Sequence, residues 1–192
     1  MLPGAYTVKL TVDGTSFTQP LTIRMDPRVK ASAADLKVQF VIETKITAAM
    51  HRDFSGLTQV RSLRAQLNEL QQSDNPNVKS AAADLDKKAA ELEGVEGGYG
   101  AFFLSSPSGR GLVRLNEALN NLLGIADSAD GAPTTQLVAM FDDVEKVLDE
   151  QLGRWAEIQK REIPALNIEL KQAGVPQLEP KSAAGTEEPV NQ

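Results

Sequence analysis

Apolar and polar residues alternate strictly along two short segments near the start of the chain. Apolar positions are Tyr6, Val8, Leu10 and Val12 in the first segment and Phe17, Leu21, Ile23 and Met25 in the second. A period of two is typical of a strand with one buried face. Asp13-Gly14 between the segments tolerates the positive φ angles of a tight turn, so residues 5–25 are predicted to form a β-hairpin. Pro20 has no amide hydrogen for a ladder, which predicts an edge strand or a bulge there.

The apolar face of this hairpin needs a cover, because a lone two-stranded hairpin is only marginally stable in water. The cover could be the helical part of the chain, another polypeptide, or strands that precede Met1. The abrupt start at Met1-Leu2-Pro3-Gly4 favours strands that this chain does not contain. On that interpretation the hairpin is the end of a larger sheet.

Beyond Val29 the composition changes from β-branched residues to Ala, Leu, Gln, Glu and Lys, and apolar residues recur at helical spacing. Four helices are predicted, at about 32–73, 76–93, 111–126 and 134–173. Ser32 with Asp35 is a candidate N-terminal cap, and Pro164 should kink the last helix because it lacks an amide hydrogen. The first helix is predicted to face the core with a stripe that includes Ile46, Met50, Phe54 and Leu57, with a bend at Gly56 left open.

These patterns predict a mainly α fold, an antiparallel three- to four-helix bundle preceded by a β-hairpin that resembles the last two strands of an Ig/fibronectin-like sandwich. The predicted divisions are the hairpin at 1–29, the bundle at 30–176 and a disordered tail at 177–192. Helices two and three together are about as long as helix one. They either lie end to end as one broken rod or form two members of a four-helix bundle, and the sequence leaves both arrangements open.

Composition narrows the function classes. A formal net charge of -6 argues against general nucleic-acid binding, which needs clustered Lys and Arg to neutralise phosphates. The absence of cysteine excludes disulfides, thiolate metal sites and cysteine nucleophiles. No apolar run approaches the roughly 18 residues that indicate a membrane span, and the first residues lack the pattern of a signal peptide.

Few residues are candidates for chemistry. His51 is interpreted as an ordinary bundle histidine, because no spacing signals a carboxylate or nucleophile beside it. The Glu-x-x-His motif of dimetal bundles is absent, since Ala48 stands three residues before His51. Trp155 fits a core position better than a partner-binding anchor. We therefore predict no catalytic, cofactor-binding or metal-binding residue.

The remaining candidates lie in loops and charge pairs. The segment 105–111 precedes a helix and contains Arg110, but it lacks the Gly-Lys-Ser/Thr ending of a P-loop, so a connecting loop is preferred to an anion site. In the same loop, Tyr99, Phe102, Phe103 and Leu104 are predicted to contact the core. Asp142-Asp143 and Glu187-Glu188 are interpreted as a solvated helix start and a tail charge pair.

Four segments occur in a distinctive order: PGAYTVKLTVDGTSFTQPLTIRMDPRV, AADLKVQF, GLVRLNEALNNLLG with GAPT, and RWAEIQKREIPALNIELKQAGVPQL. In this order they resemble the C-terminal region of large bacterial BNR or Asp-box β-propeller proteins, known as glycosyl-hydrolase-like or sortilin-like. The resemblance covers nearly the whole chain except the tail. It implies an extracytoplasmic protein, periplasmic or secreted, in which propellers precede an Ig-like module and a helical region. Because Asp-box repeats do not occur here, no propeller-borne function is carried over.

The first functional hypothesis is a noncatalytic C-terminal accessory or interaction region of such a larger protein, with no enzyme activity in this chain. Its partner would be the missing N-terminal part of its parent protein or another protein, and the hairpin edge could drive self-association. A free-standing helical protein-interaction module is the alternative. A glycan hydrolase is a weaker alternative that rests on the family name alone.

Overall fold

A computed structural model describes residues 2–94 and 110–180. Strands β1 (Gly4–Val12) and β2 (Thr15–Ile23) are followed by helices α1 (Ala33–Leu70), α2 (Pro76–Glu93), α3 (Leu112–Ala126), α4 (Thr135–Glu157) and α5 (Ile163–Gln172). A π-helical turn, Ile158–Glu162, joins α4 to α5. The predicted mainly α fold with a preceding β-hairpin is confirmed.

The hairpin is regular along its whole length. Asp13 and Gly14 have φ angles of 49° and 78°, so they form the type I′ turn whose twist matches the flanking strands. Pairing runs without interruption from Val12 opposite Thr15 to Gly4 opposite Ile23. Pro20 therefore lies on an edge strand without a bulge.

The helices form three rods. Helix α2 packs on the C-terminal half of α1, where Arg64 Nε contacts Asp86 Oδ1 at 2.9 Å, and α3 packs on the N-terminal half. Both run antiparallel to α1, so the broken-rod arrangement is the one that occurs. Helices α4 and α5, with the π turn between them, form the third rod and run parallel to α1. At one end of the bundle Gln39 donates to the carbonyl of Ala126 at 2.9 Å.

Gly94 and Gly111 bring the two halves of the broken rod into contact. Gly94 ends α2 with φ 79°, and Gly111 is the N-cap of α3. A Cβ built on Gly111 would lie 2.5 Å from the Cα of Gly94, so the two backbones touch. Beside this junction, burial acts to raise the pKa of Glu93, but hydrogen bonds from Arg61 and Arg64 outweigh it and hold the pKa below its ordinary value.

Three helices begin at a side-chain cap, and the cap predicted at Ser32 is confirmed. Ser32 caps α1, accepting a hydrogen bond from the Asp35 amide at 3.1 Å, while the Asp35 carboxylate accepts one from the Ser32 amide at 3.1 Å. Asn75 caps α2 ahead of Pro76, and Thr134 caps α4. These caps satisfy amides that have no partner within the helix.

The core stripe predicted for α1 is wrong at Phe54 and only partly right at Met50. Phe54 points to solvent with 59% of its surface exposed, whereas Met50 is partly buried and packs against the core. Asp53 and Ala49 occupy the core positions instead, each fully or almost fully enclosed. Helix α1 also runs through Gly56 as one continuous helix.

The predicted kink at Pro164 takes the form of the π turn. Proline at this place would clash with the carbonyl of Lys160, four residues earlier. The chain widens by one residue instead, and the Ile163 amide donates to the carbonyl of Ile158, five residues back. The third rod is thereby interrupted but not ended.

The prediction that the tail is disordered from Gln177 onward is wrong for residues 177–180. Leu178 is buried in the core cluster. The side-chain amide of Asn167 accepts a hydrogen bond from the Leu178 N–H at 2.7 Å and donates one to the Leu178 carbonyl at 3.1 Å. Gln66 holds Glu179 in the same two-bond manner, at 2.9 and 3.0 Å. Residues 181–192, with Glu187-Glu188, and the loop residues Tyr99, Phe102, Phe103 and Leu104 lie outside the described residues.

Candidate functional site

The apolar face of the hairpin lies open to solvent. The register places the two sets of apolar residues on the same face, because directly paired residues of an antiparallel ladder point to the same side. Leu10 and Phe17 form one such pair, with 60% and 59% of their surfaces exposed. The other exposed large apolar residues of this face are Val8, Val12 and Leu21. We call this surface the hairpin face.

Within residues 2–94 and 110–180, the base of the hairpin is the part that lies against the helices. Ile23 and Met25 line a cleft of about 130 Å³ with Leu36 and Phe40 of α1. Tyr6 and Ile23 are half-buried, whereas the apolar residues nearer the turn are exposed. The described helices therefore cover the hairpin face at this end alone.

An open, mostly apolar groove continues from the cleft along α1. Phe40 lines both, and Ala48 of α1 and Leu123 of α3 extend the groove to His51. Its volume is about 590 Å³. His51 is exposed at the rim, as expected for an ordinary surface residue of a bundle.

A carboxyl group is enclosed between α1 and α3. The Asp53 side chain has no exposed surface; its Oδ2 accepts a hydrogen bond from Asn116 Nδ2 at 3.0 Å, and its Oδ1 has no partner. Burial raises the pKa of Asp53 to about 7, and the Asn116 bond opposes this only in part. Asn120 in turn donates to Asn116, so a short polar chain leads from the core to the surface.

This polar cluster has little capacity for chemistry on an external molecule. A proton-holding carboxyl can act as a general acid or base only within hydrogen-bond reach of a substrate. The Asp53 side chain is sealed by the packing of α1 against α3, so a dissolved molecule has no contact with it. Its effect is expected in the stability of the bundle.

Other residues singled out from the sequence have structural partners. Trp155 is buried and its Nε1 donates to Gln59 Oε1 at 2.9 Å, which agrees with the predicted core position. Arg110 contacts Glu150 at 3.4 Å across the start of α3. Asp142 and Asp143 are exposed on α4. The structure does not bring these residues together.

Sequence reasoning missed three polar residues that matter. Asp53 lies among apolar residues in the sequence, where a carboxylate is usually expected to face solvent at the boundary of the apolar stripe. Gln66 and Asn167 resemble ordinary surface residues, and their bonds to Leu178 and Glu179 are visible only in three dimensions. The one sequence signal that this segment packs on the bundle is the apolar residue Leu178 within a polar tail.

Across residues 2–94 and 110–180, no three metal-ligating side chains come together as a metal site would require. In the same part of the chain no helix combines the length and the apolar character that crossing a membrane demands. Comparisons with protein-family models, with curated proteins and with solved structures found no match to this chain. The resemblance to BNR propeller proteins therefore stays a prediction.

Proposed function

We propose that the chain is a noncatalytic accessory region that contacts other polypeptide through the hairpin face. The observation that carries this proposal is the exposure of an entire apolar strand face, from Val8 to Leu21, beyond the part that α1 covers. Contiguous exposed apolar patches of this kind mark interaction surfaces in soluble proteins. The alternating pattern stabilises the hairpin fully only when the face is buried.

Charge distribution supports the same proposal. The hairpin face carries no charged residue, because the strand residue Lys9 lies on the opposite face with Thr7, Thr18 and Thr22. Interface centres are depleted in charge in the same way. A second β-sheet packing on the hairpin face would bury apolar surface without desolvating a charge.

The polypeptide that we propose as partner is the remainder of a larger parent protein. The resemblance to the C-terminal region of BNR or Asp-box propeller proteins supports this choice, and it would make the protein extracytoplasmic. In that setting a sheet of the parent protein would pack on the hairpin face, and the three-rod bundle would stabilise the end of the assembly. The chain would contribute contacts and no catalysis.

The reading frame of the gene tests this proposal. We expect the DNA upstream of the Met1 codon to continue in frame and to encode β-strands and Asp-box repeats. A stop codon close upstream, with no frameshift, would exclude a parent protein of this kind.

The hairpin face should be dispensable for the bundle. We expect Leu10→Thr combined with Phe17→Thr to change the free energy of helical unfolding by less than about 0.5 kcal/mol, as for surface positions generally. Urea unfolding followed by circular dichroism at 222 nm measures this, and binding of a hydrophobic dye should fall in the same variant.

Leu119→Thr provides the matched comparison, since Leu119 is fully buried. This change should cost about 2–5 kcal/mol, because it removes buried methyl groups from a packed core. A loss of similar size in the hairpin variant would mean that the hairpin face belongs to the core.

A further inference from the structure

The two outer edges of the hairpin differ in their capacity to accept another strand. A two-residue turn makes Val12 and Thr15 a hydrogen-bonded pair, and bonded and non-bonded pairs then alternate along the ladder. Thr7 and Pro20 form a non-bonded pair, so their backbone groups point outward. Thr7 offers an N–H on the β1 edge, whereas Pro20 offers none on the β2 edge.

The outer edge of β1 is uninterrupted. Its outward groups belong to Ala5, Thr7, Lys9 and Thr11, each of which has both an N–H and a C=O. The segment that contains them, residues 5–11, spans about 20 Å, which is a normal length for a strand in a sheet. An incoming strand can therefore pair with β1 along its full length.

We infer that β1 pairs through this edge with β1 of a second copy of the chain, antiparallel and centred on Val8. The inference rests on the proposed function, because it specifies how the hairpin serves as a contact surface. In this register Ala5 is opposite Thr11 of the second copy, and Thr7 is opposite Lys9. Every outward-facing residue of both edges then belongs to a bonded pair.

Neighbouring registers form fewer hydrogen-bonded pairs between the two β1 strands. A shift that centres the pairing on Lys9 loses one bonded pair and sets two lysines opposite each other, which is destabilising. A shift toward Thr7 also loses a pair. The register centred on Val8 has neither defect, and it brings the two Val8 side chains together on the apolar face.

Pro20 limits the assembly to two copies. Pairing through β1 leaves the two β2 strands at the outer edges of a four-stranded sheet, and each edge is interrupted by the missing N–H of Pro20. Proline on an edge strand is one way in which proteins prevent further strand addition. The result is a closed two-fold dimer with a doubled hairpin face.

Cysteine cross-linking tests the register, and the chain has no cysteine to interfere. Across the dimer the two Val8 residues form a non-bonded pair, with Cα atoms about 4.5 Å apart, which suits a disulfide. We expect Val8→Cys to give mostly covalent dimer on mild oxidation. Gln19→Cys, opposite Val8 on β2, should remain mostly monomeric.

A pair of proline variants tests the edge. Thr7→Pro removes an outward N–H of β1 without removing a bond between β1 and β2, and Thr18→Pro does the same on β2. Analytical ultracentrifugation should show that Thr7→Pro weakens dimerisation by about tenfold or more, as expected for lost backbone bonds. Thr18→Pro should leave it nearly unchanged.

Three results would overturn the inference. A wild-type chain that stays monomeric at all concentrations excludes the dimer, equal weakening by both proline variants excludes the β1 edge, and efficient cross-linking of Gln19→Cys indicates face-to-face packing instead. None of these results alters the upstream reading frame, and a stop codon upstream does not alter the cross-linking. The two proposals can therefore fail separately.

Discussion

At pH 8, Asp53→Asn is expected to raise the free energy of unfolding by about 2–4 kcal/mol, since a pKa difference of one unit corresponds to about 1.4 kcal/mol. The physical reason is the enclosed carboxyl between α1 and α3, whose Oδ1 has no hydrogen-bond partner. Asparagine has nearly the same shape and can keep the bond from Asn116, but it has no charge to bury. The substitution removes a cost that the folded wild-type chain bears above neutral pH.

The effect should depend on pH in a defined direction. In the unfolded chain Asp53 releases its proton near its ordinary pKa of 3.8, whereas in the folded chain it retains the proton up to about pH 7. Between these values the folded state binds more protons, so wild-type stability falls as pH rises and levels off above about pH 7. Asp53→Asn should not show this decline, and the two proteins should be nearly equal at pH 4.

Urea unfolding between pH 4 and pH 8.5 measures both curves. Asp84→Asn is the matched control, because Asp84 is an exposed carboxylate on α2 and the change in charge is the same. The control should follow the wild-type curve closely. A wild-type stability that does not decline between pH 5 and pH 7 would show that Asp53 is ionised in the fold.

The elements set by local chemistry could be predicted from the sequence. The turn at Asp13-Gly14 and the cap at Ser32 each satisfy backbone groups within a few residues, so neighbouring residues suffice to specify them. The hairpin face followed from the same local logic, because alternation assigns every residue of a strand to one side. The exposure of the hairpin face beyond its base depends instead on how the hairpin packs on α1, which involves residues distant in the sequence.

The predicted core stripe of α1 fails at Phe54 and omits Asp53 because hydrophobicity alone does not determine burial. Phe54 is apolar but lies where no helix covers α1, and Asp53 is charged in water but lies where α3 packs. Over a 38-residue helix the buried face is set by whichever partner lies alongside at each turn. Sequence periodicity contains no information about that partner.

The arrangement of the rods and the docked tail also depend on contacts between distant residues. Whether α2 and α3 lie end to end is decided where Gly94 meets Gly111, and glycine is common in long loops simply because it lets the backbone turn. Gln66 contacts Glu179 across a separation of 113 residues. Such contacts become predictable only when the rods have been placed.

Gly111→Ala is expected to destabilise the bundle by about 2–3 kcal/mol, the usual cost of forcing extra volume into a packed site. Its backbone angles, φ -71° and ψ 155°, suit alanine well, so the cost is steric rather than conformational. The added Cβ would lie 2.5 Å from the Cα of Gly94 and 2.8 Å from the carbonyl oxygen of Glu93. Backbone atoms cannot rotate away as a side chain can, so α3 must move off the end of α2.

Gly153→Ala should stabilise the bundle, in contrast to Gly111→Ala. Gly153 is exposed within α4, and a Cβ there would meet no atom within 4 Å, so alanine should stabilise the helix by about 0.5–1 kcal/mol. Thermal unfolding of both variants and of Gly94→Ala measures the contrast. Gly94→Ala should resemble Gly111→Ala, since it combines a 2.9 Å contact with an unfavourable φ of 79°. If Gly111→Ala were as stable as the wild-type chain, α2 and α3 would not meet at this junction, and the second rod would have to be joined elsewhere.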